Sequence, residues 1–377
     1  MTTLLTTTTP QRHRARFHAL TVSALERLTD DAVAVSFAVP QDLADEFVFE
    51  PGQHLTLRAT IEGQDTRRSY SICRSPQEAR RLGELRVAAS RVEGGLMSSW
   101  LNDTVRVGDT VQVMTPLGSF VCATDPAAAR HHVAIAAGSG ITPVMSLLTT
   151  ALAQEPGSRA TLVFGNRRTS SVMFLEELQD LKNAYPDRFQ LVNVLSREVQ
   201  DVELFSGRID RERLERLTDL LVPVDTVDEW YLCGPFGMVE DARAVLAERG
   251  ADPHHVHHEV FHVDGQEPAG VVRRAEPVVA PGAPPEAVVT VNLDGRSTVI
   301  DMPSRAETIL AATLRSRPDA PYSCTGGVCG TCRARVVQGE VRMERNYALE
   351  PEEVAAGIVL ACQAHPVTDT VALDYDA

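Results

Sequence analysis

Four cysteines toward the end of the chain carry the clearest chemistry. Cys324, Cys329 and Cys332 stand at x4 and x2 spacings in the string Tyr322-Ser-Cys-Thr-Gly-Gly-Val-Cys-Gly-Thr-Cys332, and Cys362 follows from a separate segment. Three thiolates on one tight loop and a fourth from a distance are the ligand arrangement of a plant-type 2Fe-2S cluster. Gly326, Gly327 and Gly330 suit that purpose, because backbone without side chains can fold closely and aim N–H groups at sulfur. Structural zinc is the alternative. It favours paired C-x2-C units, and only Cys329 and Cys332 form one here.

Four further strings of residues could hold phosphates and rings. In Arg67-Arg68-Ser69-Tyr70-Ser71, a flavin would find a guanidinium for phosphate, an aromatic ring and a hydroxyl for N5. Gly94-Gly95-Leu96-Met97-Ser98 then precedes an amphipathic stretch over 99–101, where free N–H groups and the Ser98 hydroxyl could hold a pyrophosphate. A simple helix cap is the plainer reading of the same residues. Gly138-Ser139-Gly140-Ile141-Thr142-Pro143 follows an apolar strand and opens a helical pattern, the context that phosphate binding requires. Cys233-Gly234-Pro235-Phe236-Gly237-Met238 closes a later strand, at a sheet edge where ligands bind. Cys233 is by itself a packing residue; beside a nicotinamide its small, polarizable side chain would shape the pocket.

The rest of the sequence must position these groups. The chain has 377 residues and a formal net charge of -15, enough length for two or three cores. The acidic balance argues against nucleic acid as a partner, since wrapping it requires a basic surface. No apolar run reaches the roughly 18 residues of a membrane span. Residues 1–16 are Thr-rich and then basic, without the apolar stretch of a secretory signal, and read as a disordered tail on a cytoplasmic protein. In a reducing compartment the grouped cysteines favour a cluster over disulfides.

Three segments follow. Residues 17–124 give short β-type runs (54–61, 68–73, 84–92, 110–115), the pattern of an antiparallel β-barrel or sandwich. Residues 125–263 alternate strands (132–137, 160–164, 189–195, 230–233) with helices (142–153, 174–184, 211–221, 238–249), which calls for an α/β parallel sheet covered on both faces. Residues 264–286 are rich in Pro, Gly, Ala and Val and read as an exposed linker. After it come a hairpin over 287–301 and a helix over 308–315, then the cysteines. His254, His255, His257 and His258 read as a solvated loop and strand edge rather than a metal site.

Taken in order, these signals resemble the ferredoxin-NADP reductase superfamily in its fused, multidomain form. The resemblance implies an antiparallel β-barrel FAD domain, an α/β nicotinamide domain and an α+β β-grasp ferredoxin domain. Within it the sequence is most similar to the reductase subunits of bacterial phenylacetyl-CoA epoxidases, through 194–198, 201–204, 206–210, 346–351 and 360–363. It implies that Arg68, Ser69, Tyr70 and Ser71 contact FAD, and that Gly95, Leu96, Met97 and Ser98 hold its pyrophosphate. Gly138, Gly140, Thr142, Pro143, Cys233, Gly234 and Pro235 would take NADPH or NADH. Ser196 and Arg197 would receive a 2'-phosphate, although beside Glu198 they also read as a solvated loop. Phe261 would cover the flavin and Glu259 would act near N5, so that Ser71, Cys233 and Glu259 form the catalytic set. Cys324, Cys329, Cys332 and Cys362 would ligate the cluster.

NAD(P)H yields two electrons together and a 2Fe-2S cluster accepts one, so a flavin is needed between them. The implied partner is an oxygenase component, the di-iron phenylacetyl-CoA epoxidase. Another ring- or steroid-hydroxylating oxygenase is a rival, and a ferredoxin-like carrier with an inactive reductase region is a rival of a different class. Intact Arg68, Gly138, Gly140 and Gly234 oppose the last.

Overall fold

The computed structural model describes residues 15–261 and 284–377. The expected tail lies almost wholly, and the expected linker for the most part, outside the described residues. The chain builds three bodies in sequence, each around its own main sheet.

The first is an antiparallel barrel of β1 (Phe17–Thr29), β2 (Ala32–Ala38), β3 (His54–Ile61), β4 (Gln64–Ser71), β5 (Glu84–Ser90) and β6 (Thr110–Met114), in the order β4-β3-β6-β1-β2-β5. A bridge between Ile72 and Val87 closes its ends. β4 begins earlier than the sequence pattern suggested. Glu62 and Gly63 both take positive φ (50° and 77°) and make a two-residue hairpin turn, while the polar run that follows hides the strand. Helix α1 (Pro76–Leu82) was not anticipated, yet its signals are plain: Ser75 caps it, Pro76 opens it and Gly83 ends it in the left-handed region. Helix α2 (Leu96–Asp103) packs against β3 and β4.

The second body is a wholly parallel sheet of β7 (His131–Ala137), β8 (Arg159–Asn166), β9 (Phe189–Leu195), β10 (Glu229–Gly234) and β11 (Val256–Val260), in the order β11-β10-β7-β8-β9. Helices α3 (Ile141–Gln154), α4 (Leu175–Ala184), α5 (Arg211–Leu220) and α6 (Phe236–Glu248) surround it. β7 is buried nearly throughout, as a central strand covered on both faces must be. Val144, Leu147 and Leu148 of α3 share one apolar core with Ala32, Ala34 and Ala88 of the barrel. Arg86 of β5 reinforces the seam, donating to Glu177 of α4 (2.9 and 3.0 Å) and to Glu26 (2.6 Å).

The third body is a β-grasp of α+β type. β12 (Ala287–Leu293), β13 (Arg296–Met302), β14 (Arg333–Gln338), β16 (Ile358–Leu360) and β18 (Thr370–Asp374) form a sheet in the order β13-β12-β18-β14-β16; β15 (Val341–Met343) pairs with β17 (Ala364–Pro366), and α7 (Ile309–Ser316) and α8 (Pro351–Ala355) complete it. β12 alternates buried and half-buried residues, so one face seals this body's own core.

The histidine segment takes its expected place at a turn and a strand edge, with His254 and His255 exposed in the turn Pro253–His255. Only His257 and His258 lie in edge strand β11; His255 in the turn and His257 in the strand share Glu229 (3.1 and 2.9 Å), His257 stacks on Tyr231, and His258 is only 12% exposed. Among the described residues no helix is long and apolar enough to cross a membrane.

A buried ionic knot fastens α3 to β7. Burial pushes the Glu155 carboxyl up, but hydrogen bonds from Arg130, His132, Ser158 and the Asp125 N–H outweigh it and hold it down to about 2. A depressed acid stabilises the fold above its unfolded pKa, near 4.5, and loses that contribution as pH falls toward 2. Glu155→Gln is therefore expected to cost about 3 kcal/mol at neutral pH in denaturant unfolding. Its stability should also decline less steeply than the parent's between pH 4.5 and 2; parallel pH profiles would refute this account.

Candidate active site

The cysteines come together as two pairs. Cys324 and Cys329 hydrogen-bond to one another, as do Cys332 and Cys362. The partner thiol lowers Cys324 to about 7 and, together with burial, pushes Cys329 and Cys332 well up. Binding of metal displaces such protons. Among the described residues no three His, Cys, Asp or Glu side chains converge as a single metal ion would require. Two pairs instead match two irons taking two thiolates each, so the donor set fits the 2Fe-2S group.

The loop bends as close wrapping demands. Thr325, Gly327 and Gly330 all have positive φ (54°, 80° and 66°), and the Gly326 N–H points at Cys324 Sγ (3.4 Å). Gln363 went unassigned in the sequence, although it adjoins a ligand. Its Nε2 donates to the Thr325 carbonyl at 2.8 Å and lies 3.8 Å from Cys362 Sγ, stitching the loop to the distant fourth thiol.

The loop lies against the barrel strand that carries the expected flavin residues. Ser69 Oγ donates to Ser323 Oγ at 3.0 Å, one residue before the first cysteine. The Arg67 guanidinium lies 4.0 Å from the centre of the Tyr322 ring. Arg68, whose Nη1 donates to the Arg67 carbonyl at 2.7 Å, is within electrostatic reach of Cys324 and Cys329. Tyr70 packs its ring on the barrel core.

Ser71 and Glu259 meet although 188 positions separate them: Ser71 Oγ donates to Glu259 Oε2 at 3.2 Å. Burial pushes Glu259 up to about 8, the Ser71 hydrogen bond offsets part of this, and Cys329 raises it further. The carboxyl is thus mainly protonated at neutral pH and can donate a hydrogen bond, as buried acids in active sites do. Cys233 pairs with Glu259 across β10 and β11, is fully buried, and has its thiol raised by that burial. Phe261, 38% exposed, follows β11 directly. His54, missed by sequence reading, is buried beside Glu259 with Nδ1 4.0 Å from Oε1, and burial lowers it to about 4. Its sequence gives no cue beyond a histidine opening an apolar strand.

The turn before α2 is shaped for a ligand but does not use every expected group. Ser98 Oγ donates to the Gly95 carbonyl and accepts from the Val92 N–H (both 3.1 Å), so this hydroxyl fastens the turn. Gly95, Leu96 and Met97 open the helix, whose first N–H groups lack intrahelical acceptors. A cavity of about 560 Å³ adjoins them, lined by Thr60, Glu62, Gly94, Gly95, Trp100 and Asp103 among others. A cavity of this size beside free N–H groups fits the nucleotide part of FAD.

At the parallel sheet, the two glycine motifs meet backbone to backbone. A Cβ on Gly140 would lie 2.1 Å from the Cys233 carbonyl oxygen, and one on Gly234 would lie 2.7 Å from Met238 Cε. Gly138 instead serves a positive φ of 54°. Thr142 is buried, with Oγ1 donating to the Ser139 carbonyl at 2.9 Å; Pro143 is buried in the same turn, and Pro235 opens α6. Ser196 and Arg197 lie three strands away at the end of β9, about 14 Å across the sheet. They are not brought to Cys233, as the two ends of an extended dinucleotide would not be. Their N–H groups bond the carbonyls of Asn166 and Arg167 (2.9 and 2.8 Å), which places the exposed Arg167 and Arg168, also unassigned, beside Arg197. Glu198 is engaged by the Thr169 N–H and hydroxyl (2.9 and 2.7 Å).

A flavin-type barrel, a nucleotide-type sheet and a two-iron loop in mutual contact define a flavin and iron–sulfur oxidoreductase. The sequence matches an oxidoreductase FAD-binding domain over residues 19–122, an oxidoreductase NAD-binding domain over 134–244 and a 2Fe-2S iron-sulfur cluster binding domain over 291–367. It is 44% identical to a 1,2-phenylacetyl-CoA epoxidase component of Escherichia coli (strain K12), covering 96% of this chain and 98% of that protein. It is 35% identical to the ferredoxin reductase component of 3-ketosteroid-9-alpha-monooxygenase of Rhodococcus rhodochrous, covering 98% and 100%. Phthalate dioxygenase reductase shares the fold, with a TM-score of 0.54 at 20% identity over 95% of this chain and 98% of that one. The chain belongs to the family of FAD- and 2Fe-2S-containing oxygenase reductase components, and is an NAD(P)H oxidoreductase.

The two glycines make opposite demands that substitution separates. Gly140→Ala is expected to cost about 3 kcal/mol, because its Cβ meets backbone that cannot yield. Gly138→Ala, with no neighbour within 4 Å of the new methyl, should cost about 1 kcal/mol through its left-handed φ alone. Denaturant unfolding measures both, and the reverse order would contradict the packing described.

Proposed function

We propose that this chain takes hydride from NADPH or NADH and sends electrons one at a time through FAD and the 2Fe-2S cluster to a di-iron oxygenase acting on phenylacetyl-CoA. The observation that carries this reading is the 3.0 Å contact of Ser69 with Ser323, which joins the expected flavin strand to the cluster loop. Identity of 44% along nearly the whole chain to an epoxidase component supports the partner. Cys73, Cys122 and Cys233, buried thiols outside the cluster loop, support a cytoplasmic setting.

Bound flavin supplies the conversion from paired to single electrons. The protein's part is placement and shielding. Arg68 and the N–H groups of Leu96 and Met97 suit the FAD phosphates, with Gly95 capping the turn before them through its own bond to the Val92 carbonyl (2.9 Å), and Tyr70 offers a ring. Ser71 directs its hydroxyl at Glu259 and orients that protonated carboxyl, which presents a hydrogen-bond donor at the reacting edge, while Cys233 keeps the nicotinamide side narrow and dry. Phe261 is placed to cover the flavin. Gly138, Gly140 and Thr142 leave a helix start open to the dinucleotide phosphates. Ser196 and Arg197, with Arg167 and Arg168 beside them, suit a 2'-phosphate.

The partner reading is tested by combining the purified chain with either the phenylacetyl-CoA epoxidase oxygenase or the ketosteroid oxygenase, and analysing products. NAD(P)H-dependent epoxidation is expected. Product only from the steroid system would transfer the assignment there, and failure to reduce even cytochrome c would indicate a carrier without reductase activity. Separately, Arg197→Ala should raise the KM for NADPH about tenfold, a loss of about 1.4 kcal/mol, and leave that for NADH unchanged. Equal effects on both would remove the 2'-phosphate role.

A further inference from the structure

His54 stands where all three bodies meet. It faces Ser71 across the β3–β4 ladder, so both side chains rise from one face of the barrel. Both turn toward Glu259 of the nucleotide sheet, Ser71 Oγ at 3.2 Å and His54 Nδ1 at 4.0 Å. The opposite side of the imidazole meets the ferredoxin body, with Nε2 3.4 Å from Thr331 Oγ1. That hydroxyl is in turn hydrogen-bonded to Cys329. Polar groups therefore line up from Ser71 and Glu259, across a 4.0 Å gap, to His54 and Thr331 beside a cluster thiol.

The ring has little freedom. The His54 backbone exchanges hydrogen bonds with Leu117 (2.8 and 3.0 Å), and the side chain is 3% exposed. Gly118 approaches so closely that an added Cβ would stand 3.0 Å from Nδ1. An imidazole has polar atoms on two sides, so one rigid ring can address Glu259 and Thr331 together. Hydrogen bonds near cluster sulfurs orient the ligands and tune the centre.

We propose that His54 is a positioning residue for the second half of the reaction: through Thr331 it holds the Cys329 arm of the cluster loop in register with the Ser71 and Glu259 edge of the flavin site. Transfer from flavin to cluster depends on it, whereas uptake of hydride does not. The inference rests on the reductase reading given above.

The test uses the full chain loaded with FAD and cluster, as His54→Phe, His54→Gln and Thr331→Val. Anaerobic stopped-flow absorbance with NADH and NADPH follows flavin and cluster separately, and EPR of the reduced cluster reports its surroundings. In His54→Phe, flavin reduction should stay within about twofold of the parent, cluster reduction should slow about tenfold or more, and the EPR signal should change. Thr331→Val should reproduce the EPR change. His54→Gln, which keeps a polar end, should recover much of the rate and keeps the test open if the phenylalanine variant folds poorly. Unaltered cluster reduction and EPR in both His54→Phe and Thr331→Val would overturn the proposal. So would equal slowing of flavin and cluster, which marks a ring that only fills space. No oxygenase takes part, so such a failure leaves the partner reading standing.

Discussion

A single strand of the barrel receives both of the other bodies, and the redox arrangement depends on that junction. Along β4, alternate residues reach outward to different partners: Arg67 to Tyr322, Ser69 to Ser323 and Ser71 to Glu259. The two-residue period of a strand makes this possible, since every second side chain emerges on one face. Arg67 is the anchor. It is 4% exposed, and a guanidinium removed from water and set against a ring contributes about 2 kcal/mol. Phe17 lies near its other contacts, 5.2 Å from the guanidinium.

Much of the chain's design was legible because its chemistry is local. The four cysteines declare themselves by spacing, and β7 and its glycine turn by a continuous apolar run. The hairpin and helix of the ferredoxin body follow from simple alternation and period. What escaped was relational. Arg67 is an undistinguished charged letter until Tyr322 covers it. His54 and Gln363 have partners 277 and 38 positions away. Arg167 and Arg168 acquire meaning only when β8 and β9 align. β4 was mistaken at its start because a polar strand with partners from other bodies shows no apolar alternation. Ser98 shows the opposite case: the letter suggested a ligand, whereas its hydroxyl is used within the turn.

Backbone contact sets the candidate nicotinamide pocket as firmly as any side chain. Gly140 lets the start of α3 rest on the end of β10, which draws Cys233 and that helix start into one corner. Glu259 enters the same corner from the edge strand, and burial there keeps its proton. A carboxyl and a thiol, both uncharged and both buried, leave this corner with hydrogen-bonding capacity but without fixed charge.

The apolar core shared by α3 and the barrel has a consequence for how the molecule comes apart. Ala32, Ala34 and Ala88 belong to a core that the nucleotide sheet completes, so separating these two bodies would expose apolar surface on both. The β-grasp owns a complete interior and meets the others largely through hydroxyls, a guanidinium and a few rings. It is a portable cassette: inheritance can attach it, exchange it or lose it without unravelling the machinery that handles the nucleotide.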